Sequence, residues 1–160
     1  MHVPSPSATA ADHSHCQADL EQSARAKCAQ LGLRLTDQRL MVLRVLASSH
    51  HALGAYELRE QLNASLAKPL PPAAIYRSLE FWQQTGLVHR IGGLDRFAVC
   101  FNGDDHHVHM VVCCDKCFVV KELCDHRLGF DLASTLEPLG YAQPSSRQIE
   151  VIATCSGCAG

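Results

Sequence analysis

The stretch 71–100, PPAAIYRSLEFWQQTGLVHRIGGLDRFAVC, decides the fold of the first half of this chain. Prolines can begin a helix, and behind them Ile75, Leu79 and Trp82 recur at helical spacing. The Thr-Gly pair at 85–86 is a helix stop signal. LVHRI, GGLD and RFAVCF then read as a strand, a glycine-containing turn and a second strand. The stretch therefore predicts a helix over 73–84 followed by a β-hairpin.

Three more helices are predicted before this stretch. Residues 17–31 carry apolar side chains at helical spacing and predict the first helix. The stretch 33–49 predicts the second, with Thr36 or Asp37 as its capping residue. A third helix is predicted within 50–66, with its apolar side chains largely inward: Tyr56, Leu58, Leu62 and Leu66. Short helices followed by a hairpin are typical of a winged helix, whose last helix before the wing enters the major groove of DNA.

Charge is distributed unevenly along the chain. Residues 17–97 contain ten Lys/Arg and seven Asp/Glu, a net charge of +3, whereas 98–160 contain four and eight, a net charge of −4. A basic first half suits the polyanionic surface of double-stranded DNA. A helix–hairpin module that binds another protein is the alternative interpretation. The asymmetry predicts two domains with different partners.

Two cysteine pairs dominate the second half. VVCCDKC at 111–117 and ATCSGC at 153–158 each contain Cys-x-x-Cys, and together they supply four thiolates, enough to close one tetrahedral zinc shell. A redox switch is the alternative. The sequence shows neither the features of a signal peptide nor an apolar run long enough to span a membrane. We therefore expect a reduced, cytoplasmic protein, in which such pairs bind metal more often than they form disulfides.

A second set of metal donors is predicted where the two domains join. One thiolate, one carboxylate and two imidazoles would make a neutral zinc site and would favour zinc over iron or manganese. The candidates are His89, Cys100, Glu122 and either His107 or His109. His126 and His106 are left over as candidates for a third, weaker site, whereas Cys113 and Cys124 read as buried thiols. His50 and His51 read as solvated loop residues.

The second half is predicted to be a small α/β domain. HMVVCC and CFVVKEL read as strands around the first cysteine pair, HRLGFDLASTLEPLG as a helix, and SRQIEVIATC as a strand that leads to the second pair. The expected class is α+β, in four parts: a disordered tail over 1–16, a winged-helix DNA-binding domain over 17–99, a hinge over 100–106 and a zinc-binding dimerisation domain over 107–160.

Several segments resemble the ferric uptake regulator family. They are LTDQRLMVLRVL, AYELREQL, PPAAIYRSLEFWQQTGLVHRI, CCDKC with KEL, and the terminal CSGC. Because RFAVC ends in a cysteine, the sequence most resembles the zinc uptake regulator branch of this family. The resemblance covers about residues 17–158. It implies a homodimeric winged-helix repressor with a structural zinc bound by Cys114, Cys117, Cys155 and Cys158.

The resemblance also implies a sensing zinc and a DNA-reading helix. The positions that match the sensing site are His89, Cys100, His107 and Glu122. Those that match the DNA-contacting surface are Arg77, which reads bases, with Tyr76 and Tyr56 nearby; Ser78 is a further candidate. The resulting hypothesis is a zinc-responsive repressor of zinc uptake genes with two zinc ions per chain, or three if the weaker site exists.

Two other functions compete with this hypothesis. The same fold can sense iron or peroxide, although a thiolate in the sensing shell selects softer metals. A zinc hydrolase or thiol oxidoreductase is the other rival. A catalytic zinc keeps one position open for water, whereas four protein ligands are predicted for each ion here. We therefore expect no enzymatic activity.

Overall fold

A computed structural model describes residues 10–64, 66–101, 108–124, 126–141 and 148–160. Its first half contains four helices: α1 (Ala10–Gln30), α2 (Asp37–Ser48), α3 (Ala55–Ala64) and α4 (Pro72–Gln84). Three short strands accompany them: β1 (Leu53–Gly54), β2 (Val88–Ile91) and β3 (Arg96–Val99). The strands form an antiparallel sheet in the order β1-β3-β2. This is the predicted winged helix, with β2 and β3 as its wing.

Helix α1 is a correction to the sequence prediction. We expected a helix from residue 17 behind a disordered tail over 1–16, but α1 begins at Ala10. The reason is local, because the added turns include two alanines, the residue with the strongest helix propensity, and an acidic residue, Asp12, near the positive end of the helix dipole. Residues 1–9, the rest of the predicted tail, lie outside the described residues.

The predicted apolar faces of the helices meet in one core beneath the wing. Trp82 is fully buried, and its indole N–H donates a hydrogen bond of 2.8 Å to the carbonyl oxygen of Arg39. Thr36 caps α2 by accepting a hydrogen bond from the backbone N–H of Arg39. Tyr56, which was predicted to point inward, is 61% exposed. Leu66, which was assigned to the same helix, lies beyond the end of α3 and is partly buried.

The second half is built on a three-stranded sheet. Its elements are β4 (His109–Cys114), β5 (Val120–Cys124), α5 (His126–Leu136) and β6 (Gln148–Ala153). The strand order is β5-β4-β6; β4 pairs antiparallel with β5 and parallel with β6. The predicted α/β organisation is therefore confirmed. None of the helices within the described ranges is both long and apolar enough to cross a membrane.

The two halves contact each other through backbone and side chains. The backbone N–H of Ala52 donates to the carbonyl oxygen of Phe118 at 2.8 Å. Arg96 lies over the Phe118 ring, 3.4 Å from its centroid, and forms a salt bridge of 2.7 Å with Glu57 of α3. His51, predicted as a solvated loop residue, is exposed, but its Nδ1 lies 2.7 Å from the carbonyl oxygen of Cys117. It therefore belongs to the contact between the halves.

Candidate metal centres and nucleic-acid interface

The parallel pairing of β4 and β6 brings the two cysteine pairs together. Cys114, the last residue of β4, lies opposite Ala153, the last residue of β6, so the turns that follow both strands leave the same end of the sheet. In the second turn the backbone N–H of Cys158 donates to the carbonyl oxygen of Cys155 at 2.9 Å. Both cysteine pairs therefore lie at the same end of the sheet.

The four sulfur atoms have the separation that a single zinc ion needs. All four Sγ atoms of this four-cysteine cluster, from Cys114, Cys117, Cys155 and Cys158, lie within 4.8 Å of one another. The Sγ atoms of Cys117 and Cys155 are 3.7 Å apart. With zinc–sulfur bonds of 2.3 Å, a tetrahedral shell separates its sulfurs by about 3.8 Å. The predicted cluster is present, and its dimensions fit zinc.

Hydrogen bonds prepare this cluster for a cation. Backbone N–H groups of Cys117, Cys155 and Lys116 point at the Sγ atom of Cys114 and lower its pKa to about 6. The pKa of Cys158 is raised to about 12, because its thiol shares hydrogen bonds with Cys155 and Cys117. One thiolate thus forms readily, whereas further negative charge is opposed until a dication compensates it.

Three donors of the predicted hinge site also come together. Nε2 of His89, on β2, lies 3.0 Å from Oε1 of Glu122, on β5. The Cys100 thiol, just after β3, donates to the same oxygen at 2.9 Å. His89 is 7% and Cys100 1% exposed. We call these three residues the hinge cluster. It joins two residues from the wing to one from the second half.

The fourth donor of the hinge cluster stays a prediction. His107 and His106 lie outside the described residues. His109 opens β4 and His126 begins α5, but the structure does not describe the side chain of either. The third site predicted from these histidines is likewise untested. The three described donors are one nitrogen, one sulfur and one oxygen, a combination that zinc accepts in protein sites.

Gln148, which sequence analysis missed, orients a hinge donor. Its Oε1 lies 3.0 Å from Nδ1 of His89, and its Nε2 donates to the carbonyl oxygen of Arg90 at 3.0 Å. A partner on the second ring nitrogen fixes which nitrogen of a histidine is available to a metal. Gln148 therefore leaves Nε2 of His89 facing Glu122 and Cys100. No spacing in the sequence links residues 89 and 148, because they lie on strands of different sheets that meet only when the two halves pack together.

Helix α4 presents one polar face to solvent. Its buried face contains Ile75, Leu79 and Trp82, as the helical spacing predicted. Tyr76 is 53% exposed and Arg77 is also exposed on the opposite face. Tyr56, at the start of α3, is exposed as well, and the Arg59 guanidinium lies 4.8 Å from the centroid of its ring. Aromatic and guanidinium groups are thus available to a duplex.

Ser78 is a correction to the predicted DNA-contacting set. Its side chain is 2% exposed. The hydroxyl donates to the carbonyl oxygen of Ala74 at 3.0 Å and accepts a hydrogen bond of 3.1 Å from the Gln38 amide of α2. Ser78 therefore joins α4 to α2 and does not belong to the exposed face. The sequence held the signal, since residue 78 is three positions after the buried Ile75.

A protein-family model matches most of the chain. The ferric uptake regulator family model matches residues 30–146. The chain belongs to the ferric uptake regulator family. The zinc uptake regulation protein of Escherichia coli (strain K12) is 31% identical over 141 residues, which cover 88% of this chain and 81% of that protein.

Solved structures of this family resemble about nine-tenths of the chain. A zinc uptake regulator complexed with zinc and DNA superposes with a TM-score of 0.74 at 31% identity, over 89% of this chain and 94% of its own. The holo form of a protein called XcZur superposes with a TM-score of 0.73 at 30% identity, over 89% of this chain and 98% of its own. The apo form of the same protein superposes with a TM-score of 0.51 at 30% identity, over 91% of this chain and 98% of its own. The chain therefore superposes better on the holo form than on the apo form.

Proposed function

We propose that this member of the ferric uptake regulator family is a zinc-responsive DNA-binding regulator that represses zinc uptake genes when zinc is bound at the hinge cluster. One observation carries the proposal. His89 and Cys100 come from the wing and Glu122 from the second half, and their donor atoms lie within 4.8 Å of one another. An ion held by all three must join the DNA-binding half to the other half. The zinc-and-DNA complex of a 31% identical relative supports this reading.

The mechanism follows from the position of the hinge cluster. Without a metal, the closed arrangement rests on the hydrogen bonds and side-chain contacts between the two halves, and no metal–ligand bonds add to them. Bound zinc favours the closed arrangement by its tighter binding to that state. In a homodimer, closure fixes the distance between two recognition helices, which must match half-sites about one helical turn, or a multiple of it, apart.

The second half supplies the dimer contact in this proposal. It exposes several large apolar side chains on its strands and after α5, namely Leu123, Leu139, Tyr141 and Ile152. A second copy that covered these side chains would remove apolar surface from water, which favours association. The zinc held by the four-cysteine cluster has a structural role here, because it holds together the ends of β4 and β6. A regulator of this kind works beside the chromosome, in the cytoplasm.

The buried thiol of the hinge cluster argues against the rival functions. Iron- and peroxide-sensing relatives of this fold would require a harder, oxygen-richer shell, whereas Cys100 supplies sulfur to the hinge site. A hydrolytic zinc needs an open position that substrate can reach. His89 and Cys100 are almost completely buried, so substrate access to an ion between them is poor.

Zinc-dependent DNA binding tests the proposal directly. Full-length protein would be stripped with a chelator, its zinc content measured, and a DNA pool selected in the presence of zinc to supply an operator. Adding zinc to the stripped protein should restore one ion at the hinge and a mobility shift on the selected duplex. Restoration by iron or manganese but not zinc would favour the rival sensors, and no shift with any metal would refute the proposal.

The exposed Arg77 should read bases when α4 lies in the major groove. Its guanidinium fork matches the O6 and N7 acceptors of guanine, a pair worth about 1–3 kcal/mol of discrimination. Arg77→Ala should therefore bind zinc and dimerise normally, yet its preference for operator over random DNA should fall by about 5- to 150-fold per half-site. The measurement is the ratio of the two Kd values at fixed salt, because absolute affinity includes counterion release.

A matched control separates base reading from a contact with the DNA backbone. Gln84→Ala changes another exposed polar residue near the end of the same helix and should leave the ratio unchanged. If Arg77→Ala weakens binding to operator and random DNA equally, Arg77 contacts only phosphate. The residues to examine next would then be Tyr76 and Gln83, not the buried Ser78.

A further inference from the structure

The turn of the wing is attached to the second half by a carboxylate. Between β2 and β3 the chain makes a single 3-10 turn over Gly92–Leu94. The backbone N–H of Gly92 donates to Oε2 of Glu150 at 2.8 Å, and that of Gly93 donates to Oε1 at 3.0 Å. Glu150 lies in the middle of β6, paired with Val111 of β4. Both oxygens of one side chain therefore hold two consecutive amides of the wing.

The approach of the turn to β6 is close at one glycine and ordinary at the other. A Cβ atom at residue 93 would lie 2.6 Å from Cδ1 of Ile152 and 3.2 Å from Oε1 of Glu150. A Cβ atom at residue 92 would lie 3.7 Å from Oε2 of Glu150, a normal contact distance. The Ile152 methyl group can rotate away, but the carboxylate can move only by lengthening its hydrogen bonds. Glycine at 93 thus permits the contact.

This contact and the hinge cluster act on the same pair of strands. β2 carries His89 and leads directly into the turn, while β6 carries Gln148, which contacts His89, and then Glu150, which holds the turn. Separation of the wing from the second half would break both contacts. The contact at Glu150 needs no metal, so it contributes to closure in the zinc-free protein as well.

We propose that Glu150 is a positioning residue that sets the zinc concentration at which this regulator closes. The inference rests on the proposed function, since it assumes that zinc at the hinge favours the closed state. When only a fraction of the molecules is closed, the apparent Kd of a ligand that binds the closed state equals its intrinsic Kd divided by that fraction. A contact that raises the closed fraction before zinc arrives therefore lowers the zinc concentration needed.

Glu150→Gln tests the proposal, because glutamine keeps the shape but turns one acceptor into an N–H group that faces a backbone N–H. We expect the zinc Kd of the hinge cluster, measured in the full chain by competition with a chromogenic chelator, to rise about 10-fold, which corresponds to about 1.4 kcal/mol. The zinc concentration for half-maximal DNA binding should rise equally. The structural zinc, the Tm and the DNA affinity at saturating zinc should not change.

Two alanine variants remove the effect of charge. Gly93→Ala retains the carboxylate but crowds it, and should raise the zinc Kd in the same direction by a smaller factor. Gly92→Ala, one residue away with room for the methyl group, should titrate as wild type. If Gly93→Ala also matches wild type while Glu150→Gln does not, Glu150 acts through its charge alone and the positioning role is wrong.

The remaining outcomes separate this inference from the proposed function. Unchanged zinc affinity in Glu150→Gln overturns the inference, as does a loss of DNA affinity that persists at saturating zinc, since that would indicate a contact with DNA. If wild-type protein binds zinc at the hinge but shows no zinc-dependent DNA binding, the proposed function fails. The chelator competition still decides in that case whether Glu150 favours zinc binding.

Discussion

Replacing Cys155 with serine is expected to remove one tightly held zinc ion per chain and to abolish cooperative unfolding of the second half. The Sγ atom of Cys155 lies 3.7 Å from that of Cys117, and its backbone N–H donates to Cys114, so this residue contacts donors of the other pair. Structural zinc sites in small peptides contribute about 10–16 kcal/mol of apparent binding free energy, as much as a whole domain's stability of about 5–15 kcal/mol.

Zinc stoichiometry and calorimetric unfolding measure both effects. Cys113→Ala is a matched control, because Cys113 directly precedes Cys114 but is fully buried in the contact between the two halves. Burial raises the pKa of Cys113 to about 11, which suits a packed thiol and not a metal-bound thiolate. The control should keep both zinc ions and unfold cooperatively at a slightly lower Tm. A Cys155→Ser protein with full zinc content and wild-type melting would contradict the structural role.

Local patterns predicted most of the winged helix because its helices are amphipathic. Ile75, Leu79 and Trp82 fix the buried face of α4, and Pro71 and Pro72 mark its start as Gly86 marks its end. The four-cysteine cluster was equally accessible, since a Cys-x-x-Cys turn brings its own two sulfurs together. Only the meeting of the two pairs required tertiary structure, and four thiolates in one small domain made that meeting the natural expectation.

Contacts between the two halves were out of reach of the sequence. Packing of the wing against β6 places Gln148 beside His89 and Glu150 beside the wing turn, but alternation of apolar and polar residues specifies neither which strands pair nor how two sheets pack. The two-residue strand β1 has no periodicity at all. Likewise, the link between His51 and Cys117 arises from packing of the two halves, which no local pattern encodes.

The second large effect is expected at the hinge cluster. Cys100→Ser and His89→Ala should each leave the four-cysteine zinc and the fold intact while removing zinc-dependent DNA binding. Cys100 is 1% exposed. Serine fits the same space because its side chain is slightly smaller, but it places a neutral hydroxyl where the metal shell needs a thiolate. Cys28→Ser is the control, since Cys28 is another buried thiol, at 2% exposure in the core beneath the wing. It should respond to zinc like wild type, with a lower Tm.

The fourth hinge ligand can be assigned by the same measurement. Sequence reasoning left His107 and His109 as alternatives. His107→Ala and His109→Ala should differ, because only the variant that loses a ligand should lose the response to zinc. Equal, wild-type responses in both would remove these two residues from the sensing site. The fourth position would then belong to another group, with His106 and His126 as the remaining candidates from the sequence.

Linkage provides the decisive measurement for the hinge cluster. If zinc raises DNA affinity, operator DNA must raise zinc affinity by the same factor, which is typically about 5–150-fold for coupled sites. Chelator competition with and without operator should show this factor in wild type and in Cys28→Ser. In Cys100→Ser and His89→Ala it should fall to about one, because a shell that has lost one of its ligands binds zinc too weakly to favour the closed state. A factor that survives in either variant would show that zinc acts on DNA binding through another site, and would exclude that residue as a sensing ligand.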